Sequence, residues 1–465
     1  MDNKSKINMW PIQMRVVNIE KSTPIIVGIF RGLTKPACSR DFFSDFISEW
    51  KNIQEDGGIT IEDRTIKLCI RCVIADAPAR AFLLCHVGHR GYNNCSKCTM
   101  DETPRTDVDY AAMTDESHHH GPSFLADLGI GMVSQVAFEW MHLSLLGTTK
   151  RQIRAAVTYN RRFHSYVRLD DTQIDIINSR MRIIAEYTPR EFSRRPTDIR
   201  QYHKMKATEL RQLILYTGPV INHGVYKSNI YYHYLLYHVA LRYFASPHSS
   251  PHHVTLAGTL MNQWVKGCSK LYGEKFVTYN AHGHLHMVED VRRFGYLDSF
   301  SAFPYENLTQ YLRRMLRKPA HPLQQIARRI REKSNSKGET RHHHTLTVKS
   351  SQPHSNGPRR PDDMDVCSEE YVQYNLIKTD DFTLGTNQRD NCCILNDSSV
   401  CLILNIFAAA TKGYQLAVQK FRNMESWFPT GLDSTEVGSF KCSKLEPTLH
   451  YVDLSEIVAK CYRTP

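Results

Sequence analysis

Residues 95–98 read Cys-Ser-Lys-Cys. Two thiols at this spacing can share one face of a metal ion, but they cannot complete a tetrahedral site alone. A second ligand pair has to reach them, and its position decides which distant segments of the chain must meet. Two sources are open. His86 and His89 lie nearby in IADAPARAFLLCHVGHRGYNNCSKC, residues 74–98. His282 and His286, in YNAHGHLHMVEDV, stand at i and i+4 and would share one helix face, with His284 pointing elsewhere. The distal pair would tie together the two ends of a long intervening block. A polar helix face and two buried thiols are the plain alternative. The histidine runs at 118–120 and 342–344 sit in loop-like sequence and read as incidental.

The thirteen cysteines are irregularly spaced, and the opening MDNKSKINMW lacks the apolar core of a secretory signal. Reduced thiols are therefore expected, not a disulfide framework, and Cys392 and Cys393 read as buried packing. The longest apolar run, GMVSQVAFEWMHLSLLG, is interrupted by Glu139 and His142. It falls short of the ~20 apolar residues of a membrane span. Lys and Arg total 59 against 47 Asp and Glu, a net charge of +12, which favours a polyanionic partner, with nucleic acid the leading class.

A chain of 465 residues allows two or three domains. The short β-branched runs 9–19 and 24–32 predict an antiparallel pair. SRDFFSDFISEWKNI follows as a helix with Ser39 as N-cap, then RTIKLCIRCVIADAP as one strand ending at Asp76, where Pro78 stops its extension. From about 100 to 290 the patterning is helical, in TTKRQIRAAV, RRFHSYVRL, TQIDIINSRMRIIAEY and SNIYYHYLLYHVALRYF. SAFPYENLTQYLRRMLRK starts another helix with Glu306 at its beginning. Residues 332–365 predict a disordered linker and 366–465 a small β-rich domain.

Two-metal phosphoryl transfer needs carboxylates that converge on ions ~4 Å apart. A ribonuclease-H-like fold supplies them from its first strand, the end of its fourth strand and a later helix. Asp76 matches the fourth-strand position in element order. Glu306 matches the helix position if the helical block is an insertion. The plain readings are a turn aspartate and a helix N-terminal carboxylate. The expected fold class is thus α/β: a ribonuclease-H-like core (1–100 and 291–331), a large helical insertion (101–290) and the β-rich end.

The ordered series WPIQ, GIFRGLTKP, IADAPARAFLLCHVGHRGYNNCSKC, FEWMHLSLLG, PREFSRRP, KATELRQLILYTGP and YNAHGHLHMVEDVRRFGYLDSFSAFPYEN resembles the transposases of CACTA (En/Spm)-like DNA transposons in their insect form, over about residues 9–332. The resemblance implies a ribonuclease-H-like catalytic domain with an Asp-Asp-Glu triad. The second aspartate falls on Asp76, in the family's Ala-Asp-x-Pro-Ala motif, and the glutamate on Glu306, in FPYE. It implies Mg²⁺ at these carboxylates. The V(D)J recombinase core is distantly similar, with zinc on a Cys-x-x-Cys and a His pair ahead of the catalytic glutamate. That similarity favours structural zinc on Cys95, Cys98, His282 and His286 over the nearby histidines. The family's first aspartate sits in an Asp-Gly-Leu-Pro-like motif on a strand before MWPIQMRVV, where only MDNKSKIN stands; Asp2 does not match it. A truncated, catalytically impaired transposase-like protein is expected. The alternative is a non-catalytic zinc-stabilised DNA-binding or protein-interaction factor.

Between 307 and 333 lie Arg313, Arg314, Arg317, Lys318, Arg328, Arg329, Arg331 and Lys333 against one acid, Glu332. They read as phosphate contacts, as a solvated face, or, around Arg328, as a nuclear import signal. Lys150, Arg151, Arg154, Arg161 and Arg162 form a second basic group, and Arg190, Arg194, Arg195, Lys204 and Lys206 a third. Trp140 reads as buried or as a stacking platform for a flipped base. DNA is the expected partner and the nucleus the expected location, with homo-oligomerisation open.

Overall fold

The central apolar runs of this chain pair into very short strands, because helices and loops take up most of the backbone around them. The structure, a computed structural model, describes residues 8–19, 22–336, 348–358, 371–409, 413–429 and 431–465. It is mixed α/β and divides into two units. Among the described residues no helix is long and apolar enough to cross a membrane.

The first unit joins Met1–Thr148 with Phe244–Val265 and Val277–Arg341. Strands Asn8–Met14 and Ile25–Gly32 pair antiparallel. Met9, Ile26 and Ile29 pack with Leu312, Met315 and Ile326 of the later helices. Trp10 turns to the other side and meets Phe42 and Phe82 edge-on. Helix Ser44–Glu55 buries Ile47 and Trp50 in a core shared with Leu84, Phe124 and Val136. Val73–Ala75 runs parallel to Val136–Phe138, whose three residues are all buried. Such a parallel pair needs a long crossover, and here the segment between them supplies it.

Several expectations shift. The run RTIKLCIRCVIADAP forms two strands, not one. Arg64–Ile66 closes a hairpin with Ile59–Ile61, and only Val73–Ala75 joins the parallel pair. A continuous β-branched run does not encode where its partner changes. Cys38, not Ser39, takes the N-cap position of the short helix Ser39–Phe42, without a side-chain capping bond, and the main helix starts afresh at Ser44. The block expected to be helical from 101 holds the short helix Asp107–Ala111 and also a strand, Val136–Phe138. Immediately after that strand, Met141–Thr149 forms a π-helix, a rare conformation that recurs at functional sites.

The second unit joins Thr149–Tyr243, Lys266–Phe276 and His342–Pro465. Asp170 and Gln173 form a capping box that starts helix Asp171–Tyr187. RRFHSYVRL, expected to be helical, contributes only the 3₁₀ turn Ser165–Val167. Among the described residues the C-terminal sheet has nine strands, ordered Lys441–Leu445, Gly413–Glu425, Val400–Ala409, Cys392–Leu395 and Ile457–Lys460 along its main path. Its core includes Ile377, Cys393, Cys401, Ile403, Leu416 and Val418. The segment expected to be a disordered linker holds the end of helix Pro322–Ser336 and strand Lys349–His354, so the sheet starts before 366. The histidines at 342–344 and Asp2 lie outside the described residues.

Asp390 is a fully buried carboxylate in this unit, 2.7 Å from Lys460 Nζ and 2.7 Å from Arg190 Nε. Burial alone would raise its pKa. The hydrogen bond and charge of Lys460, with Arg190, hold it below the ordinary carboxylate range instead. Removing one partner of a buried pair costs about 3–5 kcal/mol. Asp390→Asn is expected to lose about that much in urea unfolding. Because the native carboxyl is depressed, its contribution is present above the ordinary range near ~3.9 and is lost as pH falls through the lower native value, which acid titration of the wild type would show.

Candidate metal centre and carboxylate site

The knuckle that carries the two cysteines is built on backbone hydrogen bonds. Arg105 N bonds Lys97 O and Thr99 N bonds Thr103 O, while Cys98 and Pro104 form an isolated β-bridge. The buried Arg105 guanidinium donates to the carbonyls of both Cys95 and Cys98, and to Asn93 and Asp115. Lys97, between the cysteines, reaches the carboxylate of Asp290, and both side chains are buried. Asp290 also accepts the Phe138 N–H at 2.9 Å. One acid therefore fastens the knuckle, the strand end and the helix after the histidines to each other.

The histidines come from a broken helical segment: α-helix Tyr279–Gly283, a 3₁₀ turn His284–His286, then helix Met287–Phe294. His282 Nε2 lies 3.1 Å from Cys98 Sγ, and His286 Nε2 lies 3.4 Å from Cys95 Sγ. All four ligand atoms fall within 4.8 Å of one another. A tetrahedral zinc with ordinary Zn–S and Zn–N bonds sets sulfur and nitrogen about 3.5 Å apart, so the donor set and spacing fit such an ion. His284 turns away, as expected, with Nδ1 on Asn280 O at 2.7 Å and Nε2 near Ser144 Oγ at 3.0 Å. Gly283 leaves room for the approach: a Cβ there would sit 2.7 Å from the Leu143 side chain.

His86 and His89, the alternative ligands, do not join the group. His86 is buried against the His118 ring at 4.7 Å, and burial drives its pKa down to about 3. His89 lies edge-on to Tyr279. The run at 118–120 is not incidental: His118 and His119 pack on Tyr110 and bond the Asn93 and Asp115 carbonyls.

A hydrogen bond from Cys98 holds Cys95 well below the ordinary thiol range, aided by both histidines. The same bond raises Cys98, and Cys95 in turn raises His282.

Asp76 follows the parallel strand and caps helix Ala77–Leu84, its Oδ1 accepting the Ala79 N–H at 2.8 Å, with Pro78 in the first turn. Glu306 stands in the first turn of helix Phe303–Met315. The charges of both raise the pKa of a third side chain, His142, and Glu306 also approaches its ring. His142 Nε2 lies 4.0 Å from Glu306 Oε1, and its Nδ1 lies 2.8 Å from Glu139 Oε2. Burial would lower the His142 pKa, but the Glu139 hydrogen bond and the three carboxylates raise it. Glu139 is buried and saturated. It also accepts from the Met141, His142 and Ala302 N–H groups at 2.8–2.9 Å. Ala302 is the N-cap of the Glu306 helix, so Glu139 joins that helix to the strand end.

Sequence reasoning missed this pair, treating both residues as interruptions of an apolar run. The available signal was Glu-x-x-His immediately after a buried strand. It also missed Arg80. Buried one turn after Asp76, Arg80 bonds Ser96 Oγ at 2.8 Å and Ala137 O at 2.6 Å, and stacks over Phe138, linking the Asp76 helix to the knuckle. Trp140 is fully buried against Phe303, which rules out its open stacking in this conformation.

Of the basic residues, Arg313, Arg314, Arg317, Arg328 and Arg331 are exposed, while Arg328 and Arg329 both pair with Glu332. In the other groups, Arg151 bonds the Lys275 and Phe276 carbonyls and Arg190 pairs with Asp390. These two serve the fold.

Residues 353–465 match a family described as a domain of unknown function (DUF8592). No curated protein and no solved structure matches the chain.

Metal must displace protons from Cys98 and His282, whose affinity for them is raised, so affinity for the ion falls with falling pH. Zinc retained against a chelator is expected to fall steadily as the pH is lowered. Cys95→Ser and His286→Ala should lose it at neutral pH, measured by metal content.

Proposed function

We propose that this chain is a transposase-like DNA-binding protein with a ribonuclease-H-like core, in which zinc on Cys95, Cys98, His282 and His286 is structural and Asp76 and Glu306 are ligands for catalytic Mg²⁺. The observation that carries this reading is the gathering of Cys95, Cys98, His282 and His286 into one metal-sized group, and it is supported by Asp76 and Glu306, whose charges both raise the pKa of His142. These two acids come from positions 230 residues apart, one at a parallel strand end and one in a helix first turn. An antiparallel pair, a helix, a hairpin, a parallel pair and a carboxylate-bearing helix follow one another here, an order that supports such a core, with the two pairs in separate two-stranded sheets. The net charge of +12 and the exposed arginines near Glu306 support a DNA partner. Such a partner carries a nuclear location with it.

Divalent ions at these carboxylates would stabilise charge on a phosphoryl group undergoing in-line attack. Of the chain's own groups, Asp76 and Glu306 hold negative charge at the site and Glu139 fixes the helix that bears Glu306.

A second reading is a zinc-stabilised DNA-binding or protein-interaction factor without catalysis. Asp76's use as a helix cap favours it, since capping alone accounts for an aspartate there.

Metal-dependent nicking of supercoiled DNA by the purified chain, abolished in Asp76→Ala and in Glu306→Ala, is expected from the first reading. Salt-dependent DNA binding with no cleavage in the wild type would leave the second. In either case the triple change Arg313→Ala, Arg314→Ala, Arg317→Ala should flatten the slope of log K against log salt by about 3, nearly one per lost phosphate contact.

A further inference from the structure

We infer that Arg105 is the positioning residue of the Cys/His metal group, holding Cys95 and Cys98 in the paired pose in which they can share one zinc ion. This rests on the reading of Cys95, Cys98, His282 and His286 as zinc ligands and adds what sets the first two. The turn at 99–104 folds the chain back, with Glu102 in the left-handed region at φ 59° and its N–H on Thr99 O at 3.1 Å. It returns Arg105 to the knuckle, where the side chain is 5% exposed. Arg105 Nε lies 3.3 Å from the Cys95 carbonyl oxygen and 3.1 Å from that of Cys98. The neighbouring carbonyls of Lys97 and Thr103 are taken by backbone N–H groups at 2.9 Å. The guanidinium therefore serves the two ligand residues, while the turn closes without it.

A cysteine ligand moves with its backbone as well as about its own side-chain bond, and a site whose backbone is already set loses less freedom on binding. One N–H shared between both carbonyls fixes the two peptide units relative to each other. The same cation is held from its far side. Nη2 donates to Asn93 Oδ1 at 3.0 Å and to Asp115 Oδ2 at 2.7 Å, and Asp115 also accepts from Asn93 Nδ2 at 2.8 Å and from Ser117 Oγ at 2.7 Å. A buried cation is costly unless paired, and Asp115 supplies the pairing. Four acceptors lie along the planar fork, whereas a lysine ammonium is a point with three donors and does not span the same set. The Lys97 N–H, 3.5 Å from Cys95 Sγ, is one result, a backbone donor already directed at a ligand sulfur. Loss of such an outer-shell partner lowers metal affinity about 10–100-fold.

The test is competition of a chromophoric chelator against the zinc-loaded full chain, with the cobalt-loaded chain read by thiolate-to-cobalt charge-transfer and d–d absorption. Wild type is expected to give the spectrum of a tetrahedral site with two sulfurs and two nitrogens. Arg105→Lys should keep that spectrum, since every ligand remains, and should bind zinc about 10–100-fold more weakly. Asp115→Asn, which alters no ligand, should weaken binding by a smaller factor that still exceeds about twofold. An arginine that only braced the loop would change the urea midpoint and leave the affinity of the folded chain where it was. Affinity within about twofold of wild type in Arg105→Lys, or in Asp115→Asn if the lysine variant does not fold, overturns the inference and leaves the zinc reading standing. A wild type with no thiolate-to-cobalt band overturns both.

Discussion

The meeting of Cys98 with His282, 184 residues apart in sequence, is the constraint on which the first unit depends. Closing a flexible loop of that length costs about 4–5 kcal/mol of chain entropy. Two hydrogen-bonded thiol and imidazole contacts would not offset it, since each is worth only about 1 kcal/mol net. A zinc ion in a small structural site contributes about 10–16 kcal/mol and would exceed that cost with a wide margin. The Lys97–Asp290 pair spans nearly the same interval in sequence, but as a buried ion pair it carries a desolvation cost of its own. Ligation can drive the closure, whereas the ion pair mainly specifies how the closed parts fit.

Two buried acids, Glu139 and Asp290, do comparable jobs at the C-terminal end of strand Val136–Phe138. Each accepts backbone N–H groups that would otherwise be orphaned where the strand meets helices. Each also engages a side chain at a neighbouring site: Glu139 holds His142, and Asp290 holds Lys97 within the Cys-x-x-Cys knuckle. A three-residue strand has few ladder hydrogen bonds to define its position, so carboxylates take over part of that role. The metal group and the carboxylate site are consequently set from the same short strand.

How much of this was legible depended on whether the chemistry was local. Cys95, Cys98, His282 and His286 stand out because few roles other than ligation use these types at these spacings, and the structure gathers all four. Asp76 and Glu306 were placed by element order, and the elements that carry them are present. Glu139 and His142 were illegible because their meaning depends on partners far away, Ala302 and Glu306, that no local pattern announces. The splitting of residues 64–75 between two pairings was hidden for the same reason: a β-branched run specifies strand, not neighbour. Helical periodicity in RRFHSYVRL misled because Phe163 and Val167 are buried from a loop that contains only a 3₁₀ turn.

The distance between the ligand pairs has a temporal side. A ribosome adding about 5–20 residues per second needs about 10–40 s to travel the 184 positions from Cys98 to His282. Throughout that interval the thiols are out without their imidazoles. The N-terminal half of the first unit cannot close in the order in which it is made, and it must wait for a segment translated after most of the helices. If zinc fills this group, the two cysteines are open during synthesis to oxidation or to a competing metal until residue 286 arrives.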